Sequence, residues 1–288
     1  MSADHTTTGD RGCLFDSAPI PADAPDGTTE AWSATEYARG PWDPLHCHGG
    51  PVSALLARAS ERAADGGTDW LISRLTIELT RPVPVGVPLA LTTTIERPGR
   101  KVSVVAASLW SNGTEVAKVR TLRIRRQDFD LPPHPLAPPE FDGVAGDGVL
   151  ERVSWATDGD RIAFHSHGAE HRIVEGGWND PGPIKVWIRL AVDLVDGEQP
   201  SGVQRAAAAA DFGNGVSSAI DFEQFLFINP DLTVHLAREP QGEWIGLATH
   251  SLYGTPDASS GAGFAESALQ DEIGRFGRSV QSLFVTPR

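Results

Sequence analysis

The chain has 288 residues, 40% hydrophobic and 22% charged, enough apolar material for a packed interior and unlike a disordered composition. Its 24 basic and 38 acidic side chains leave a net charge of −14 and an isoelectric point near 5.0. A field of that sign repels phosphate backbones and anionic bilayers, so neither nucleic-acid nor membrane binding is expected. The length suggests two domains of about 150 residues each. No apolar run reaches the roughly 18 residues of a membrane span, and the opening MSADHTTTGDRG lacks the basic and apolar regions of a signal peptide. A soluble, cytoplasmic protein is expected. Cys13 and Cys47 allow one disulfide at most and are read as reduced thiols.

In chain order, residues 1 to 30 are polar and rich in Gly, Pro and Asp; most of this arm is expected to be loosely held, with order beginning near Leu14. HGGPVSALLARASERAADGG places Val52, Leu55, Leu56, Ala59 and Ala63 at helical spacing, with Gly49-Gly50 at its start and Gly66-Gly67 at its stop. LISRLTIELTRPV, PLALTTTIERPG and KVSVVAASLWSNGTEVAKVRTLRIRR then read as strands, and Asn112-Gly113 predicts a type I′ hairpin. The proline-rich LPPHPLAPPEFDGVAGDG cannot continue a sheet interior and reads as an extended linker. From residue 184 the pattern returns: IKVWIRL, a helical SGVQRAAAAADFG, and INPDLTVHLAREP, EWIGLATHSLYG, GAGFAESALQDEIG and RFGRSVQSLFVTP as strands. Helix followed by meander occurs twice. Leu75 to Arg81, LTIELTR, also lies over Leu232 to Arg238, LTVHLAR, with four of seven residues identical. Two copies of one α+β unit, each a helix on a curved antiparallel sheet, are expected.

This order of elements, the stretch GPWDPLHCHGGPVSALLARA into the first helix, and FINPDLTVHLAREPQGEW through RFGRSVQSLFV resemble the thioesterase-like superfamily of bacterial type II acyl-CoA thioesterases. The resemblance spans roughly residues 30 to 127 and 184 to 286. It implies a double hotdog of the α+β class, with an N-terminal hotdog domain over 14–127, a linker over 128–183 and a C-terminal hotdog domain over 184–288. It also implies hydrolysis of an acyl-CoA thioester by a water that an Asp, a Thr or Ser, and a Gln hold against the carbonyl. Carried over residue by residue, the Asp falls on Asp211 in AAAADFGNG and the Gln on Gln281 in SVQSLFV. The hydroxyl position falls on Asn229, with Thr233 displaced along the strand and Ser217 and Ser218 nearby.

The chemistry supports these residue types independently. Thioester hydrolysis needs a nucleophile, a route for its proton and donors for the developing oxyanion. Asp211 is the candidate base; a carboxylate is a weak base in water, and the apolar run Ala206 to Ala210 before it offers the burial that strengthens one. Gln281 can orient the same water without changing charge. His48-Gly49-Gly50 offers backbone N–H groups at a helix start, where negative charge is favoured. Arg81, Arg97, Arg100, Lys101 and the Arg120 to Arg126 cluster are candidates for the anionic end of CoA.

No metal or other cofactor is expected. His46, Cys47 and His48 are too close in sequence to converge on one ion, and His165, His167 and His171 read as a solvated loop. GxSxG, HExxH, GxGxxG and Walker patterns are absent, which removes serine α/β-hydrolases, zincins and nucleotide-binding enzymes. Trp42, Trp178 and Trp187 read as core or interface anchors, some of them lining an acyl tunnel. Two other readings stay open: a hotdog hydratase or dehydratase using Asp43 and His46 as acid and base, and an inactive acyl-CoA or lipid binder. A homodimer through an exposed sheet edge is also open.

Overall fold

The computed structural model describes residues 12–63, 70–133, 135, 138–141, 145, 148–151, 161–178, 180–255 and 258–288. The first helix, α1 (Gly49–Glu61), starts where the His48 imidazole caps it, Nδ1 accepting the Gly50 N–H at 3.1 Å. Pro51 sits in the first turn, where its missing N–H breaks no helical bond. Gly50 to Ser60 are all buried, so α1 is a central helix rather than one lying on the surface. The expected stop at Gly66-Gly67 lies outside the described residues. The second helix, α2 (Gly202–Ala210), is capped by Ser201, whose Oγ accepts the Gln204 N–H at 3.1 Å. Its alanines have the highest helix propensity and let α2 pack closely on α1. α2 ends at Asp211, and a short α3 (Gly213–Val216) follows.

Among the described residues, fifteen strands form one sheet around these helices. They are β1 (Cys13–Ser17), β2 (Thr28–Ala34), β3 (Trp70–Glu78), β4 (Pro88–Arg97), β5 (Val102–Ser111), β6 (Thr114–Arg125), β7 (Val149–Glu151) and β8 (Ala169–Glu175), then β9 (Ile184–Leu190), β10 (Asp193–Val195), β11 (Phe225–Ile228), β12 (Asp231–Leu236), β13 (Ile245–Thr255), β14 (Ala258–Asp271) and β15 (Gly274–Pro287). At the centre β3 and β12 pair antiparallel, with Thr76 opposite Thr233, so the two similar heptapeptides lie side by side. Outward from this seam one half runs β3-β6-β5-β4-β2-β1 and the other β12-β15-β14-β13-β9-β8. Leu55, Leu56, Leu75, Ile77, Leu232 and Val234 fill the interior and are fully buried. Truncating one such leucine to alanine costs about 2–5 kcal/mol.

The hairpin at Asn112-Gly113 forms as its sequence predicts, with φ of 49° and 69°. Other expectations need correction. Within the arm expected to be loose, β1 and β2 join the sheet, and Leu14 and Phe15 are fully buried. Their signal is short and interrupted by turns, and long-range pairing supplies the rest. Within 128–183 the sheet gains β7 and β8, and Phe164–Gly168 forms a π-helical turn. His165 and His171, expected in a solvated loop, are buried by it. The stretch INPDLTVHLAREP is not one strand, because Asn229-Pro230 separates β11 from β12. Proline cannot donate to the ladder there, and the break turns Asn229 toward the interior. Among the described residues no helix is long and apolar enough to cross a membrane.

Candidate active site

The antiparallel packing of the two helices brings the C-terminal end of α2 against the start of α1. Asp211, the C-cap of α2, is buried there and its carboxylate is engaged on both oxygens. Oδ1 accepts from Asn229 Nδ2 at 2.7 Å and from Gln281 Nε2 at 3.3 Å, and Oδ2 lies 2.8 Å from His48 Nδ1. Gln281 is anchored further: Nε2 donates to the Asp211 carbonyl at 3.1 Å, and Oε1 accepts the Asn214 N–H at 3.0 Å. The sequence therefore named Asp211, Gln281, Asn229, His48 and Gly49 in pieces that the fold brings together.

Close approach explains the two glycines. A Cβ on Gly49 would stand 2.7 Å from both Asp211 oxygens, and one on Gly50 would stand 2.7 Å from the Ala208 carbonyl and 2.8 Å from Phe164. Any other residue at Gly49 displaces the carboxylate from the first turn of α1, where the helix dipole favours negative charge.

The candidates for the missing hydroxyl do not reach this group. Thr233 sits in the central seam opposite Thr76 and Val280. Ser217 Oγ bonds the Gly213 carbonyl at 2.7 Å and Ser251 Oγ at 2.8 Å, and Ser218 Oγ bonds the Ile220 carbonyl at 2.8 Å. Asn229, in the break between β11 and β12, is the side chain that meets Asp211 from this stretch.

A cavity of about 1350 Å³ opens beside the carboxylate, lined by His48, Gly49, Asp211 and Asn229 at one end. Its walls are aromatic. Trp42 stacks on Phe222 with centroids 4.9 Å apart and meets Phe227 edge-on at 5.7 Å, while Trp178 and Phe212 line the deeper part. Trp187, by contrast, is a core residue packed on Phe141. Of the expected cations only Arg81 lines the cavity; Arg120 pairs with Glu96 and Arg126 with Glu239 elsewhere, and Arg123 is buried near the end of α1. Sequence reasoning missed Arg288, which lines the cavity and lies over the Phe222 ring at 4.7 Å.

Around the imidazole the surroundings are apolar. The His48 ring packs against Phe164 and Phe212, with centroid distances of 5.1 and 4.8 Å, and the two phenyl rings stack on each other at 5.2 Å. His171 stands edge-on to Phe212, and its pKa is lowered to about 3, first by burial and then by His165 and His48. Cys47, next to His48 in sequence, is a free thiol pushed upward by burial, and the free Cys13 is pushed up to about 12, again chiefly by burial. Neither is a thiolate at neutral pH. At the rim His46 Nδ1 lies 3.3 Å from Asp43 Oδ2, with side chains 37% and 46% exposed. Among the described residues no cluster of His, Cys, Asp and Glu is arranged to hold a metal ion.

Comparison with known proteins bears on this site. No curated protein matches the chain in sequence. Solved structures share its fold at low identity. The acyl-CoA thioesterase II TesB2 of Mycobacterium marinum has a TM-score of 0.62 at 13% identity, covering 95% of this chain and 96% of that one. The tesB protein of Mycobacterium avium subspecies paratuberculosis has 0.57 at 14%, covering 89% and 93%. A hot dog fold protein of unknown function from Alicyclobacillus acidocaldarius has 0.64 at 16%, covering 91% and 95%. The family descriptions are more direct: an acyl-CoA thioesterase N-terminal domain matches residues 38–124 and an acyl-CoA thioesterase C-terminal domain matches residues 130–285. With both domains matched in order over most of its length, the chain belongs to the acyl-CoA thioesterase family.

Proposed function

We propose that the protein hydrolyses an acyl-CoA thioester to the free acid and CoA with a water held at Asp211. The observation that carries this is a buried carboxylate, fixed by three side chains, in the wall of a large aromatic-lined cavity. Gln281 and Asn229 hold Asp211 in one orientation, so a water meeting the carboxylate is oriented with it. Gly49, at the start of α1 and in the cavity wall, is the donor proposed for the oxyanion, while the Gly50 N–H faces His48 Nδ1. The acyl chain lies among Trp42, Phe222 and Phe227, and Arg81 with Arg288 meets the anionic part of CoA. The matching strand order of the two halves supports two hotdog units, the second starting at β8 inside 128–183 and not at residue 184.

Hydration of a double bond would use Asp43 and His46 instead. That pair is more than a third exposed and sits at the rim, away from the helix start that favours an oxyanion, so the geometry favours hydrolysis. The test is release of free thiol from acyl-CoAs of increasing chain length, comparing the wild type with Asp211→Ala. Hydrolysis that depends on Asp211 is expected. A folded protein that binds acyl-CoA and releases no thiol is a binder, and the reading fails.

A further inference from the structure

We infer that His48 is a catalytic residue of this hydrolysis, taking the proton from the attacking water on Nε2 while Asp211 orients its ring. The inference rests on the thioesterase reading above. It arises because the side chains expected to handle the water are already occupied. Gln281 uses both ends of its amide inside the protein and does not line the cavity. Each Asp211 oxygen has its own partner. His48 lines the cavity, and among the described residues the polar contacts of its ring are made through Nδ1.

Those two contacts compete for one ring nitrogen. To accept the Gly50 N–H at 3.1 Å, Nδ1 must carry a lone pair; to meet an ionised Asp211 at 2.8 Å, it must carry a proton. The shorter, charge-assisted bond is the stronger and sets the tautomer. Nδ1–H then donates to Asp211, and the Nε2 lone pair is left without a partner among the described residues. The ring is braced on one side by the stacked pair of Phe164 and Phe212, and turning it over would give up both Nδ1 contacts. The other titratable groups packed nearby bring no competing charge. His171 stays neutral above about pH 3, and the Cys47 thiol is pushed up by burial. His165 is buried and acts on His171, and the Asp43–His46 pair is more than a third exposed.

In the step itself, the water oxygen bonds the thioester carbon as Nε2 takes a water proton and the carbonyl electrons move onto oxygen. When the carbonyl re-forms, the C–S bond breaks, its electron pair leaves on sulfur, and the proton on Nε2 passes to the thiolate. The acid then loses its own proton to solvent. Asp211 stays ionised throughout and stabilises the imidazolium.

The test compares His48→Asn with Asp211→Asn by thiol release from acyl-CoA. Asparagine still caps α1 and still donates to Asp211, so a purely structural role survives the change. The inference expects His48→Asn to lose about 10²- to 10⁴-fold in kcat with little change in KM. It also expects the acid limb of the pH–rate profile to vanish, and added imidazole to restore part of the rate. Should His48→Asn not fold, as judged by circular dichroism, His48→Gln at near-native volume is held to the same expectation. If the folded variant keeps kcat within threefold while Asp211→Asn is dead, the imidazole is only a cap, and the thioesterase reading stands without it. If neither change affects thiol release, both are overturned.

Discussion

The two ends of the α1/α2 pair present the same backbone frame and opposite chemistry. Asp211 and Arg58 occupy corresponding places, each nine residues after the first residue of its helix. At one end the helix supplies a carboxylate, which meets His48 just before α1. At the other it supplies a guanidinium, which meets Glu198 just before α2 in a bidentate pair at 2.9 and 2.8 Å, with Glu30 at 2.9 Å. The first end opens onto the cavity. The second is closed, since Arg58 is only 3% exposed and stacks over Trp32. Glu61 nearby is held by Ser201 and Gln204 at 2.7 Å each, at the start of α2. On the proposed function, one frame thus serves reaction where its charge faces a cavity, and anchorage where the charge is fully paired.

The largest expected effect is at the open end. Asp211→Ala should lower kcat by about 10²- to 10⁴-fold, because it removes the group that orients the water and His48; steady-state thiol release measures it. The counterpart at the closed end should act on stability instead. Arg58→Ala leaves two carboxylates without their partner and is expected to cost about 2–3 kcal/mol. This is discounted from a fully buried pair because Glu30 and Glu198 are 34% and 40% exposed. A lowered urea midpoint with unchanged kcat per folded molecule is the expected result, and a loss of kcat would break the comparison.

Acid should weaken the open end through His171. The folded chain keeps this ring neutral down to about pH 3, whereas the unfolded chain protonates it near 6.5. Lowering the pH through that window therefore favours unfolding, by up to about 1.4 kcal/mol per pH unit. Urea midpoints against pH should show that slope in the wild type and a shallower one in His171→Phe.

The glycines at the two helix starts give the smallest and sharpest contrast. Gly49→Ala places a methyl 2.7 Å from both Asp211 oxygens and should lower kcat by about 10- to 100-fold with modest destabilisation. Gly202→Ala places one 2.1 Å from the Pro240 carbonyl, far from the carboxylate. It should cost about 1–3 kcal/mol while kcat per folded molecule holds. Equal kinetic effects from the two would remove the distinction between the ends.

How much could be read before folding follows from range. The strands β4 to β6 and β12 to β15 were legible because alternation and turn residues are local signals, and Asn112-Gly113 encodes its own turn. β1, β2, β7 and β8 were not, because they lie among stretches rich in Pro, Gly and Asp and draw their stability from partners such as β10 and β9. The occluded histidines followed from this: His171 looks like a solvated loop residue until β8 is paired and Phe212 covers it.

For the site, sequence by itself determined the residue types: a carboxylate at the end of an alanine helix, an amide in the last strand, and glycines opening the first helix. Helix caps and strand alternation are written over a few neighbouring positions, and so can be read from them. Tertiary structure alone decided that these groups meet, that Asn229 rather than Thr233 reaches Asp211, and that His48 lies beside the carboxylate in the cavity wall. The contact between His48 and Asp211 exists only because two helices distant in sequence pack antiparallel, closely enough that nothing larger than glycine fits between them.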